Sequence, residues 1–440
     1  MAAKGKISLT AAISLGIGSM IGAGIFVLLG QVGAVVGAAT WISFLLAGII
    51  IIFCGYNFAK LGARYPSNGG VLEYLVQAYG INLYSGGMGV FYYIASIILM
   101  AVVAKGFGFY LSALVMKNPP SYLPNTFAVC LVLLLTLLNF ISVSAIARFE
   151  KWIVAIKLLV IISFAVLGFA FVKPSLLANF DQFSSANLFS SLALTFFAYT
   201  GFNVISGSAE NMDNPKKNVP RAIMLTIFIV MIIYIALALV VFGNLSVDQV
   251  IAAKETALAE AARPALGETG FAIVSIAALF SSVSSINANI FASSNNAYVM
   301  AVYGTLPKAI EKRVWRRGTE ALVVTSSIII ILLLLFDLTL IASVGGLASL
   351  IAYTAVNIAH LRLYKDTGAK LYIVWLSVLI SLGTVIVVLL ANAKTEPGQL
   401  YATVIIIVLS FLFEWIMRTY GKKYMEEALP RVQDPIPPKN

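Results

Sequence analysis

Long apolar runs separated by short polar stretches dominate this chain from residue 8 to residue 418. A helix that crosses a bilayer needs about 20 mostly apolar residues. By that measure the pattern predicts twelve spans, at 8–36, 40–63, 84–114, 124–144, 150–172, 187–209, 220–243, 269–302, 320–336, 340–363, 370–391 and 399–418. Lys4 and Lys6 ahead of the first run resemble the start of a signal peptide, but the apolar residues continue to Val36, beyond the core of such a segment. The first span is therefore read as retained. The stretch 244–268 alternates acids with Val250, Ala257, Leu258 and Ala261, which predicts a surface helix. After Tyr420 the chain runs to Pro435, Pro437 and Pro438, as a disordered terminus does. The expected fold class is all-α, with one transmembrane domain over 1–420 and a tail over 421–440.

Composition sharpens this picture. Of 440 residues, 60% are hydrophobic and only 11% charged, with a mean hydropathy of +0.97. A soluble domain runs at roughly 45–50% apolar and about 25% charged. So few charges cannot cover so much apolar surface, and the excess must face lipid. A cytosolic enzyme and a disordered scaffold are excluded. The net charge of +11 invites a nucleic-acid reading, but the basic residues stand singly between apolar runs, not massed on one face.

Their placement instead orients the chain. With the N-terminus inside, 22 of the 29 Lys and Arg residues fall in cytoplasmic segments, against Lys117, Lys173, Lys254, Arg263 and Lys394 on the other side. That bias predicts both termini cytoplasmic in a cell-membrane protein. The two that remain, Lys105 and Lys157, both fall within spans. Cys54 and Cys130 lie in separate apolar runs and His360 is the sole histidine, so no disulfide, metal centre or cofactor is expected. His360 is expected to be structural or surface-exposed.

Two spans carry unusual glycine. The first has Gly16, Gly18, Gly22, Gly24 and Gly30, and the sixth has Gly201 and Gly207. Glycine lowers the cost of leaving helical geometry, and broken helices in corresponding places of two halves point to a transporter's substrate site. The prediction is that spans one and six are interrupted near Ile21–Gly24 and Tyr199–Gly201. Repeats over 8–172 and 187–363, five spans each, would then be inverted, with two added helices over 370–418. Close helix packing is the alternative use of such glycines.

Four motifs in order resemble the amino acid–polyamine–organocation superfamily of secondary transporters, and they cover nearly the whole chain. They are Gly18-Ser19-Met20-Ile21-Gly22-Ala23-Gly24-Ile25-Phe26, Tyr65-Pro66-Ser67-Asn68-Gly69-Gly70 followed by Tyr74, Asn214 to Ile223, and Tyr298 to Gly304 with Leu306-Pro307. The chain departs from the family at Asn203, where an acid is common, at Ser294-Asn295-Asn296, where an arginine is common, and at Val302-Tyr303 in place of Arg-Asp. These departures bear on substrate preference and on a carboxylate proton sensor.

The resemblance implies a carrier for amino acids that works by alternating access. An amino acid needs partners for a carboxylate and an ammonium, because unpaired charge at mid-membrane is costly. Amides at Ala23, Gly24 and Ile25, after Gly22, would hold the carboxylate at the positive end of a half-helix. Carbonyls of Met20 or Ile21, with Phe197, Ala198 and Thr200, would accept from the ammonium. Phe197 stands where relatives place a gating ring, and a packed aromatic is the alternative. Small apolar surroundings without an acid favour neutral substrates.

Lys157 is the one charge in the run 152–162, deep in span five, and an ionisable residue there is a functional hypothesis by default. It resembles the lysine of proton-coupled relatives, with Ser281 and Ser284 of span eight as hydroxyl partners and the carbonyls near Gly16 to Ser19 as acceptors. A proton is then the coupling ion, and the chain a symporter. The alternatives are a sodium-coupled carrier, an exchange-type amino acid or polyamine carrier and, more distantly, a channel or an intramembrane enzyme. Oligomeric state is left open.

Overall fold

A computed structural model describes residues 7–67, 69–141, 143–307, 313–315 and 318–420. The tail assigned to 421–440 lies outside them. The described chain is helical apart from a small antiparallel pairing of Arg313–Trp315 with Gly318–Thr319 and an isolated bridge of Ile7 to Met212.

α1 (Leu9–Val36) starts at Ser8, whose hydroxyl accepts from the Ala11 amide, and passes through a single 3₁₀ turn at Gly37–Ala39 into α2 (Thr40–Arg64). A short α3 (Gly70–Tyr79) precedes α4 (Leu83–Val115), which opens on a reciprocal Asn82–Ser85 cap. α5 (Leu123–Ile141), α6 (Val143–Phe169) and the four-residue α7 (Pro174–Leu177) follow. Then come α8 (Ser185–Ala198) and α9 (Asn203–Ser206), with a 3₁₀ turn at Thr200–Phe202 between them. α10 (Pro215–Asn244) leads into the short α11 (Val247–Ala253) and α12 (Ala257–Glu260), where a surface helix was predicted. α13 (Arg263–Val302) contains a left-handed Gly267 at φ 59°, so its regular part begins near the predicted residue 269. α14 (Glu320–Leu335), α15 (Leu338–Thr367), α16 (Leu371–Thr395) and α17 (Pro397–Tyr420) complete the bundle.

Among the described residues, ten stretches are long and apolar enough to cross a membrane, one of them being α1 and α2 together as Leu9–Arg64. α14 has sixteen residues, about 24 Å of helix. The outer surface is apolar, as lipid demands. On α6, Trp152, Ile156, Leu159, Ile162 and Val166 form one exposed stripe at helical spacing, while Lys157, beside them in sequence, is fully buried.

The sequence-based expectation for the first span is corrected here: α1 is continuous through Ile21–Gly24. Its glycines are spent on contact, the alternative use. A Cβ added to Gly22 would stand 2.1 Å from Cβ of Ser285, and one on Gly24 2.1 Å from the Tyr234 hydroxyl oxygen. With α1 unbroken, the paired interruption that suggested an inverted repeat is absent. The sixth span is interrupted as expected, between Ala198 and Asn203.

His360 is buried, neither exposed nor alone. Its Nδ1 lies 2.7 Å from Oδ1 of Asn57 and its Nε2 2.8 Å from the Thr367 hydroxyl. Asn57 donates on to Asn357, which donates to Ser381. The chain of bonds ties α2, α15 and α16 together. Asn57→Leu leaves two buried partners unmatched and should cost about 2–3 kcal/mol, read as a lower melting temperature in detergent. An unchanged melt would exclude this network from stability.

Candidate substrate and coupling site

The interruption between α8 and α9 faces the middle of α1. A Cβ on Gly201 would lie 2.7 Å from the Met20 amide nitrogen, so only glycine lets the two backbones approach this closely. Breaking a helix frees carbonyls that must find donors. Here hydroxyls supply them. Thr200 donates to the Phe197 carbonyl at 2.8 Å and Tyr353 of α15 to the Thr200 carbonyl at 2.9 Å. Tyr234 of α10 reaches both the Ala198 carbonyl, at 3.1 Å, and the Met20 carbonyl of α1, at 2.7 Å.

Thus Met20, Phe197, Ala198 and Thr200, picked from the sequence as acceptors for an ammonium, converge, and each carbonyl has a hydroxyl on it. Ile21, Gly22, Gly24 and Ile25 lie along the same stretch of α1 and are buried. Ala23 is within α1. The Phe197 ring is buried against α15, where a Cβ on Gly345 would come within 2.6 Å of it.

At the residues just before Met20, α1 meets α6 and α13. Lys157 donates from Nζ to the Gly18 carbonyl at 2.8 Å, and Ser285 donates to the Ser19 carbonyl at 3.0 Å. Asn289 donates to the Ser19 hydroxyl. The carbonyls of Gly18, Ser19 and Met20 therefore receive side-chain donors from three different helices. In a regular helix these same carbonyls pair with the amides of Gly22, Ala23 and Gly24. Ser281 and Ser284 are buried on α13, and a Cβ on Gly22 would lie 2.7 Å from the Ser281 carbonyl oxygen.

The family profile for amino acid permeases matches residues 7–411. The chain belongs to the amino acid permease family. An uncharacterised protein of Methanocaldococcus jannaschii is 35% identical over 95% of this chain and 96% of its own. The inner membrane transport protein YbaT of Escherichia coli is 34% identical over 84% of this chain and 86% of its own. Cationic amino acid transporter 4 of Mus musculus is 28% identical over 80% of this chain and 59% of its own. The resemblance read from the four motifs is thus correct, and this permease is a multi-pass membrane protein of a transporter family.

Sequence reasoning missed Tyr234 and Tyr353; in the polar window of span eight, which holds Ser281, Ser282, Ser284, Ser285, Asn287 and Asn289, it singles out Ser281 and Ser284, whereas Ser285 and Asn289 are the ones that bond α1. Tyr234 had a legible signal, as the only polar-tipped side chain between Thr226 and Asn244. The others stand among similar residues and are distinguished only by where their helices pack.

Two further charges of the permease have definite places. Lys105, late in α4, donates to the Phe336 carbonyl just before α15. Glu73 is buried on α3 and accepts from the Tyr303 hydroxyl at 2.7 Å and from Gln77 at 2.8 Å, joining α3 to the end of α13. Burial, with the Glu73 carboxylate beside it, pushes the Tyr303 phenol well above its usual range.

Proposed function

We propose that this permease is a twelve-span, proton-coupled symporter of neutral amino acids with both termini cytoplasmic. The supporting observation is the row of side-chain donors on the Gly18, Ser19 and Met20 carbonyls. When α1 opens at Gly22–Gly24, those carbonyls keep partners, and opening costs less than it would in an unsupported helix. The amides so released, at Ala23, Gly24 and Ile25, take the substrate carboxylate. The ammonium takes carbonyls of the sixth-span break, displacing hydroxyls that already hold them. Acceptors made of neutral carbonyls suit one positive charge and not a second, which favours neutral substrates over cationic ones.

Lys157 supplies the coupling. Protonated, it holds α1 through Gly18; deprotonated, its nitrogen no longer carries the charge that strengthens that bond. Because the two forms differ in their grip on α1, a proton biases the outward–inward equilibrium. An ammonium fixed on a helix-one carbonyl also meets the need that a sodium ion would otherwise meet, and this supports proton over sodium coupling. Ser281 lies at the same α1–α13 contact, with Ser284 buried further along α13, and both are assigned to the coupling site.

Reconstituted protein with an imposed pH gradient should accumulate labelled neutral amino acids and show counterflow without any gradient. Uptake that follows sodium and ignores pH would refute the proton reading, and flux without counterflow would favour a channel. Phe197→Ala should reduce transport by about tenfold or more while changing substrate affinity by less than about threefold, if the ring closes over bound substrate. Equal losses in both would make Phe197 a packing residue.

A further inference from the structure

On the face of the bundle that carries the N-terminal end of α1, the end of α2 lies beside the start of α10. A cavity of about 440 Å³ opens between them, lined by Lys60, Arg64, Lys216, Lys217 and Arg221, with Thr367 at its edge. No carboxylate lines it. Among the described residues, none of the five cations forms an ion pair; Lys60 donates to the Gly368 carbonyl at 3.3 Å. Lys216 and Lys217 occupy the first turn of a thirty-residue helix with no acid in that turn. A helix start is the positive end of its dipole, where cations are disfavoured and anions favoured. Five like charges around one concavity, two of them at the wrong helix end, make a field that an anion relieves.

The surface below the cavity says what kind of anion. From Arg221, the side chains of Leu225, Phe228 and Ile232 follow at spacings of four, three and four residues, so they lie on one face of α10. They are 45%, 53% and 51% exposed. A cationic hollow continues directly into an apolar, lipid-facing stripe. The geometry points to a site for an anionic phospholipid, its phosphate among Lys60, Arg64, Lys216, Lys217 and Arg221 and an acyl chain along Leu225, Phe228 and Ile232. A free phosphate would use the hollow and leave the stripe unused. Scattered basic residues attract an anionic leaflet in general, whereas this site predicts a saturable lipid held by these five.

The test is a titration of the full chain in neutral detergent, read by native mass spectrometry and by melting temperature. Phosphatidylglycerol should bind at one saturable position and raise the melting temperature, and phosphatidylcholine and inorganic phosphate should do neither. The variant with Lys216→Gln, Lys217→Gln and Arg221→Gln should bind phosphatidylglycerol about a hundredfold more weakly. Lys60→Gln with Arg64→Gln, on the other helix, should also weaken it by about tenfold or more, and this variant decides if the first does not fold. A control with Lys365→Gln and Lys370→Gln, on the same face and outside the cavity, should change binding by less than about twofold. Equal loss in the control, equal binding of phosphatidylcholine, or competition by inorganic phosphate at comparable concentration would each overturn the assignment.

Discussion

Lys157→Ala is expected to abolish accumulation of substrate driven by a pH gradient while leaving a folded, substrate-binding protein. The fold should survive because the Gly18 carbonyl that accepts from the ammonium is neutral and is also bonded within α1. What disappears is the group whose protonation, in the proposed coupling, distinguishes two states of α1. Downhill exchange of labelled substrate should therefore persist in proteoliposomes, with the response to external pH flattened. Concentrative uptake by Lys157→Ala under a proton gradient alone would show that coupling lies elsewhere. Lys157→Arg keeps a charge that does not titrate, and should likewise exchange without accumulating.

Gly24→Val should eliminate transport altogether, and for a reason the sequence did not give. As a carboxylate site, Gly24 would lose only ligand affinity. In the folded chain, however, its Cβ would sit 2.1 Å from the Tyr234 hydroxyl oxygen and 2.6 Å from the Ala198 carbonyl oxygen. The ring must move, and with it go the bonds to Met20 and Ala198. Overpacking of this kind costs about 1–3 kcal/mol, visible as a lower melting temperature. Tyr234→Phe removes the hydroxyl without overfilling the space, so Gly24→Val combined with Tyr234→Phe should melt closer to the parent. If the double variant melts no higher than Gly24→Val alone, the clash is not the cause.

Much of the architecture was readable because lipid imposes a coarse rule: a helix must be long, apolar and internally bonded. Hence α4, α10 and α15 lie close to the expected spans. α3 escaped notice because ten residues of mixed polarity carry no spanning signal. The glycines of α1 and of the sixth span looked alike in sequence, yet one set serves close packing and the other accompanies a true interruption. The difference lies in what each backbone meets across the interface, and no local pattern records that. Lys157 was legible for the opposite reason: a single charge in an apolar run needs a partner wherever the run is placed. Its acceptor, Gly18, fell within the range foreseen, whereas Ser285, a neighbour of the two serines singled out in span eight, is the one that donates to the next carbonyl, that of Ser19.

The join between α1 and α2 has a mechanical consequence. Gly37, Ala38 and Ala39 are all buried in one tight turn, and the Thr40 hydroxyl clamps back on the Gly37 carbonyl at 2.8 Å. Such an elbow has no slack. A tilt of the outer part of α1 cannot be absorbed there and is handed to α2, which packs along α10. Joined in this way, the two helices form a lever whose arm is most of a bilayer thick, and small displacements at its fulcrum become large ones at the membrane surface. A chain loosened at this elbow by inserted glycines would decouple the two arms, with substrate still bound and the stroke lost.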